Sequence, residues 1–388
     1  MRRATLAALA LFACDPGKPA TPSPTPTPAP TAPTPSASAV PATTAVRIPP
    51  TPPAAADAAS NLKLDEDVRI LPTVGHRDGD AWVVPLRAWV YEPEDGALVR
   101  GATIESLRVA LELPPAAATS EFFRARARPF LYDNESAKQV VVRLGAASYA
   151  LPPTGANGHS EQTLRVPAEG VPAGWWTAAV VPRPGDPRSF SGELLLLDDA
   201  GVSVISDVDD TIKISEVRDK QKLLENTFMK AFVAVPGMAE AYSRWAGQGA
   251  AFHYVSASPW QLLDPLAGFI GEAGYPRGSM HMKLFRWKDA TFLSLFQSPI
   301  EYKQPILAGL VAQFPRRKFV LVGDSGEKDP EVYAAVYRVY PEQVVGIHIR
   351  DVTGETRDAP RYATAFAGVP AERWTIFTDP STLPQSLQ

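Results

Sequence analysis

GVSVISDVDDTIKISEV, residues 201–217, decides how the carboxy-terminal half of the chain is read. Val202, Val204 and Ile205 form an apolar, β-branched run that predicts a buried strand. The run stops at Asp207, Asp209 and Asp210, followed by Thr211. Carboxylates crowded at a strand end repel one another, and a folded chain keeps them together mainly when a cation neutralises the charge. Hard oxygen donors with no cysteine nearby point to magnesium. A bare D-x-D also permits a solvated acidic turn. The strand before it and the partners downstream argue against that reading.

Working outward, strand and helix alternate beyond residue 200. Helical spacing covers 219–232 and 237–248, and AFHYVSAS (251–258) predicts a second strand. PWQLLDPLAGFIGEAG opens a helix at its proline, and GSMHMKLFRW (278–287) holds a third strand or a substrate loop. YKQPILAGLVAQF (302–314) predicts a helix whose start is set by Pro305. KFVLVGDSGEKD (318–329) is a strand ending in acids, DPEVYAAVYRVY a helix and QVVGIHIRDV a further strand. This order predicts an α/β, doubly wound parallel sheet, which places its ligands at the carboxyl ends of its strands. Asp207, Asp209, Ser256, Ser258 and Asp324 all fall at such ends.

Asp207-Val208-Asp209-Asp210-Thr211 matches the D-x-D-x-T signature of the haloacid dehalogenase superfamily of phosphotransferases, with Ser256, a lysine before the fourth strand and GDSGEKD matching its later motifs in order. More narrowly, SDVDDTIKISEV, VPGMAE, FHYVSASPWQL, FLSLF, EYK and FVLVGDSGEKDPEVY resemble the catalytic domain of the actin-patch-associated phosphatidate phosphatase family. The resemblance implies that Asp207 attacks phosphorus and that Asp209 protonates the leaving alkoxide, then deprotonates water. It implies Mg²⁺ held by the Asp207 carboxylate, the Asp209 backbone carbonyl and Asp324. Ser256 then bonds the transferring phosphoryl group, Lys303 balances its charge, Asp329 orients the metal waters or Lys303, and Thr211 fixes the loop. Lys283 is the rival to Lys303. With His281, Arg286 and Lys288 it makes a basic stretch that meets a second anionic group or a lipid surface, or is simply a solvated loop. His253 and His348 are read as satisfied strand histidines.

The remaining chain adds three segments. Residues 1–13, with two arginines and a short apolar run, suit an export signal, and Leu11-Phe12-Ala13-Cys14 resembles the lipobox of bacterial lipoproteins. Cys14, the sole cysteine, is then the lipidated residue, and several acyl chains hold a protein on a membrane at about 0.8 kcal/mol per buried CH₂. Residues 14–60, rich in Pro, Thr and Ala, read as a disordered tether. Residues 61–199 read as a mostly β, sandwich-like domain, with strands in 81–92, 106–113, 139–145, 163–166, 175–182 and 192–199. EFFRARAR (121–128) is a basic edge or a solvated face of that domain. Residues 200–388 form the phosphatase domain.

A net charge of −4 gives no global attraction to nucleic acid. The gaps between Thr211, Ser256 and Lys303 leave no room for a large cap, and an open site suits a bulky or membrane-embedded ester. These readings predict an exported, membrane-anchored phosphatidate phosphatase on the periplasmic or cell-surface side. The alternatives are an exported phosphomonoesterase acting on soluble esters, and a non-enzymatic lipoprotein whose β domain binds a partner.

Overall fold

Tight turns join the first strands. β1 (Asp67–Ile70), β2 (Thr73–Asp78) and β3 (Ala81–Glu92) are separated by two residues each, and Gly79, at φ 63°, supplies the left-handed backbone that turns β2 into β3. This computed structural model describes residues 48–93, 97–284 and 300–387. After β3 the chain leaves the sheet for α1 (Ala97–Ala110) and α2 (Glu121–Ala127). It returns through β4 (Asp133–Asn134), β5 (Val141–Leu144), β6 (Ala147–Ala150), β7 (His159–Pro167), β8 (Gly174–Val180) and β9 (Ser191–Leu197).

The pairing order is β1-β3-β2-β9-β8-β5-β6, with β4 and β7 added on β3, and only β2 and β9 run parallel. The expected sandwich of two sheets is therefore replaced by one continuous sheet through β3. Trp82, Val84, Leu86, Ala88 and Val90, alternate residues of β3, share a core with Val142, Tyr149, Leu164, Ala178 and Leu194. Strands this far apart in the order meet in one core only because the sheet curls on itself.

Three expectations are corrected in this half. SLRVALEL lies in and just after α1 rather than in a strand, with Leu107 and Leu111 buried and Val109 57% exposed. The one-in-two alternation also fits an i, i+4 helical stripe, and burial selects the helix. EFFRARAR is α2 and its following turn, burying Phe123, Arg126 and Ala127. Residues 51–60, assigned by composition to the tether, lie along the first sheet. Thr51 N donates to Arg165 O, Ala54 N to Ser148 O and Ser60 N to Val181 O.

The second sheet is built from β10 (Val202–Asp207), β11 (Ala251–Pro259), β12 (Gly278–Lys283), β13 (Lys318–Asp324), β14 (Val344–Arg350) and β15 (Trp374–Phe377). Between them run α3 (Lys220–Phe228), α4 (Met238–Gly247), α5 (Leu263–Glu272), α6 (Ile300–Ala312), α7 (Asp329–Val339) and α8 (Pro360–Ala365). All its pairings are parallel, in the order β12-β11-β10-β13-β14-β15. The chain winds outward from β10 in one direction and from β13 in the other, so the switch point lies between those two strands. Within β10, Val204 faces the core made with α4 and α5, and Ile205 faces the core made with α6 and α7. Pro305 sits inside α6, which starts five residues earlier than expected.

The two sheets are not independent. Leu107, Leu111, Phe123 and Phe130, from the helical excursion of the first half, pack with Val204, Val208, Ile212 and Phe228 of the second. Each fully buried Leu or Phe is worth about 1.5–3 kcal/mol over exposure, so this excursion is part of the second sheet's core energetics. Arg317 fastens the crossing between halves, donating to the carbonyls of Asp198, Ala200 and Val202 and to Ser203 Oγ. No helix among the described residues is long and apolar enough to cross a membrane.

Candidate active site

The carboxyl ends of β10 and β13 bring Asp207 and Asp324 together at the switch point. Asp207, Asp324 and Asp329 each offer an oxygen within 4.8 Å of the others, and all three are buried. Asp207 is the last residue of β10, and Thr211 Oγ1 donates to its Oδ2 at 3.0 Å. Lys303, on α6 and 2% exposed, reaches Asp207 Oδ1 at 2.7 Å, Asp329 Oδ1 at 2.7 Å and Glu327 Oε2 at 2.8 Å. Asp329 Oδ2 accepts from Asp324 N at 3.2 Å. Gly323 makes that approach possible, because a Cβ there would lie 2.3 Å from Asp329 Oδ2.

Charge in this cluster is unbalanced. Asp207, Asp324, Asp329 and Glu327 set four carboxylates against one ammonium. Burial pushes the Asp207 carboxyl well up; Lys303 opposes this, while Asp329, Glu327 and Asp209 add to it. Burial raises Asp324 likewise, with Asp329 and Asp207 adding. Glu327 is also raised, by burial first, with Lys303 opposing. Lys303 is held well above its ordinary value, the three carboxylates outweighing the burial that would lower it. Asp324 Oδ1 accepts from the backbone of Gly326 and Glu327 at 2.6 and 3.1 Å, whereas its buried Oδ2 has no hydrogen-bond partner among the described residues. Excess negative charge and an orphaned hard oxygen fit a divalent cation.

Asp209 occupies a neighbouring pocket of different character. Lys213 Nζ lies 2.7 Å from its Oδ1, and Ser215 Oγ donates to the same oxygen at 2.7 Å. Ser256 and Ser258, at the end of β11, face its Oδ2 at 3.3 and 3.5 Å. Burial would raise the Asp209 carboxyl, but Lys213 and the Ser215 hydrogen bond outweigh it and leave it below its usual range. The loop folds back because Asp210 takes φ 54° and its carboxylate accepts from the backbone N–H of Ser215, Glu216 and Val217. An aspartate tolerates the left-handed region better than most side chains, and here it also caps the turn.

The structure thus gathers Asp207, Asp209, Thr211, Ser256, Lys303, Asp324 and Asp329, named from sequence, around one strand-end cleft. It adds Lys213, Ser215, Gly323 and Glu327. The motif signal could have included Lys213 and Glu327, which lie inside quoted motifs, but only the turn at Asp210 brings Lys213 back to Asp209. His281 stands apart. On β12 it bonds Ser279 Oγ at 2.9 Å, is driven down to about 4 by burial and then by Arg87, and lines a cavity of about 270 Å³ with Arg87, Glu161 and Trp260 between the sheets. Lys283 ends β12 half-buried, with burial lowering its pKa. Arg286 and Lys288 lie outside the described residues, as do FLSLF and Cys14. His253, fully buried, sits between Ser203 and Ser279, and His348 bonds Thr375 Oγ1 at 2.8 Å.

Comparison with known proteins gives this geometry a context. Residues 202–351 match the family described as phosphatidate phosphatase APP1, catalytic domain. Over 181 residues the chain is 31% identical to phosphatidate phosphatase APP1 of Saccharomyces cerevisiae, covering 46% of this chain and 30% of the yeast protein. An uncharacterized protein of Schizosaccharomyces pombe is 30% identical over 172 residues, covering 43% of this chain and 28% of that protein. The match spans less than a third of each of these two relatives' own length. A solved D,D-heptose 1,7-bisphosphate phosphatase from Burkholderia thailandensis aligns with 46% of this chain at 12% identity and a TM-score of 0.24, which carries no argument. The family resemblance drawn from the motifs is borne out for the carboxy-terminal half.

Proposed function

We propose that this chain, whose second sheet carries an APP1-type catalytic region, is a magnesium-dependent phosphatase of the haloacid dehalogenase type that hydrolyses phosphatidate to diacylglycerol and phosphate. The observation that carries the reading is the pairing of Asp207 with Lys303 beside the unpartnered Asp324 oxygen. The family match supports a phosphatase; the metal, the intermediate and the lipid substrate are our inference.

Asp207 attacks phosphorus in line and the ester oxygen leaves, giving an aspartyl-phosphate. Asp209 would protonate the departing alkoxide and then deprotonate the water that cleaves the acyl phosphate. It must therefore take up its proton as the anionic ester binds, because Lys213 and Ser215 hold its carboxyl below the usual range in the free site. The second step returns the proton used in the first, so the pair balances over a turnover. Ser256 donates to a phosphoryl oxygen and Lys303 neutralises its charge, while Thr211 keeps the Asp207 carboxylate turned toward the cleft. Asp207 and Asp324, with Asp329 and the Asp209 backbone carbonyl, would hold the ion, which when bound supplies positive charge against the anionic phosphoryl oxygens.

The reading extends to placement. A lipidated Cys14 on an exported chain would hold the site at a bilayer where its ester resides. The decisive assay gives the full chain phosphatidate in mixed micelles and soluble phosphate esters, with magnesium or with chelator. Magnesium-dependent release of phosphate from phosphatidate is expected. Turnover of soluble esters alone removes phosphatidate, and no turnover of any ester overturns the enzymatic reading. Cys14→Ser should release the protein from membranes; unchanged partitioning would remove the anchor.

A further inference from the structure

Arg126 is an odd residue to bury. It sits on α2, in the half of the chain outside the family match, yet it is 6% exposed and reaches into the other half. Its Nη1 donates to the carbonyls of Thr227 and Lys230, both at 2.7 Å, at the end of α3. Its guanidinium lies 3.7 Å from the Phe232 ring centre and 5.0 Å from that of Phe122. Among the described residues no carboxylate pairs with it. Burial alone lowers its pKa, to about 10. A buried cation without an anion is costly, and carbonyls at a helix end and an aromatic face are the compensation available.

What this arrangement fixes is the wall behind Asp209. Phe232 also receives Lys213, whose Nζ lies 4.9 Å from the ring centre and 2.7 Å from Asp209 Oδ1. The backbone completes the link, because Ile214 N donates to Val233 O at 2.8 Å and Val235 N to Ile212 O at 2.9 Å. Residues 227–235 thus form a rail gripped by Arg126 on one side and paired with the Lys213 segment on the other.

We propose that Arg126 is a positioning residue of the candidate active site: by gripping the Thr227 and Lys230 carbonyls and the Phe232 ring, it keeps Lys213 on the Asp209 carboxylate. This rests on the hydrolytic reading above, in which Asp209 handles the leaving-group proton. It follows that residues 202–351 alone lack part of their own site.

The test compares Arg126→Met with Arg126→Lys in the full chain, using an alkyl phosphate and 4-nitrophenyl phosphate. An alkoxide needs protonation to leave, whereas nitrophenolate does not. Arg126→Met is expected to lower the single-turnover rate of alcohol release from the alkyl ester, which reads the first step alone, about ten- to a hundredfold with KM little changed, since small misplacements of a catalytic group have effects of that order. Single-turnover nitrophenol release should slow less than about threefold, and Arg126→Lys should show the same pattern more weakly. An equal loss on both esters, or none on either, overturns the proposal. If Arg126→Met does not fold, Arg126→Lys decides by the same ratio. Wild-type protein inactive on both esters would instead sink the hydrolytic reading. Hydrogen exchange then decides, with faster exchange at Ile214 and Val235 amides in the variant expected and unchanged exchange refuting the positioning role.

Discussion

Lys303→Met isolates the charge imbalance at the switch point. It removes an ammonium lying within 2.7–2.8 Å of three carboxylates, two of them essentially inaccessible to water. Losing one partner of a buried ion pair typically costs about 3–5 kcal/mol, and three partners place this site at the upper end. At about 2 °C per kcal/mol for a unit of this size, metal-free Lys303→Met should melt roughly 6–10 °C below wild type near pH 8. The loss depends on pH with a definite sign. Asp207, Asp324 and Glu327 already have folded values above their unfolded ones, so they cost stability as pH rises through the folded value. Without Lys303 the folded values rise further. The gap between variant and wild type should therefore be widest in alkali and narrow as pH falls and protons neutralise the carboxyls. Lys303 itself stays charged across this range, its own value being raised. Thermal unfolding in chelator at several pH values is the assay. A gap that is absent, or that does not change with pH, refutes the account of the cluster as over-supplied with negative charge.

Four further outcomes follow from the same geometry. Divalent cation should raise the melting temperature of wild type by the equivalent of about 2.7 kcal/mol at a hundredfold excess over Kd, and Asp324→Asn should abolish that rise in a thermal-shift titration. Gly323→Ala forces a Cβ to within 2.8 Å of the Asp329 Cβ and Cγ, so it should cost about 1–3 kcal/mol in denaturant midpoint and lower activity with it. Asp209→Asn should slow single-turnover alcohol release from an alkyl phosphate by about 10²–10⁴, with a much smaller effect on nitrophenol release from nitrophenyl phosphate. His348, 5% exposed and driven down to about 4 by burial, binds its proton more readily in the unfolded chain. Its contribution, about 3 kcal/mol, should be lost as pH falls from 6.5 to 4, and His348→Gln should flatten that limb of a urea-midpoint series.

The sequence made the second sheet readable because three of its six strands end in chemistry. Asp207, Ser256 and Asp324 mark the ends of β10, β11 and β13, and an apolar run precedes each. The order of those runs predicted the winding, although α8 and β15 carried no such mark and were not foreseen. The first half was harder. SLRVALEL satisfies a strand period and a helix period equally, and only its burial against the second sheet settles which applies. Composition likewise misplaced residues 51–60, because only Pro52 and Pro53 of this stretch lack an N–H and the others can donate to the neighbouring sheet. Lys213 and Glu327 escaped for a third reason: their roles depend on turns that bring them back to the cleft, and no spacing rule registers that return.

Arg317 makes the crossing at residues 198–202 a weld. Three backbone carbonyls and a serine hydroxyl share one guanidinium, so the halves cannot swing like jaws around a large ester. On the proposed hydrolytic reading, admission of an ester falls to the strand-end loops rather than to any opening between the sheets.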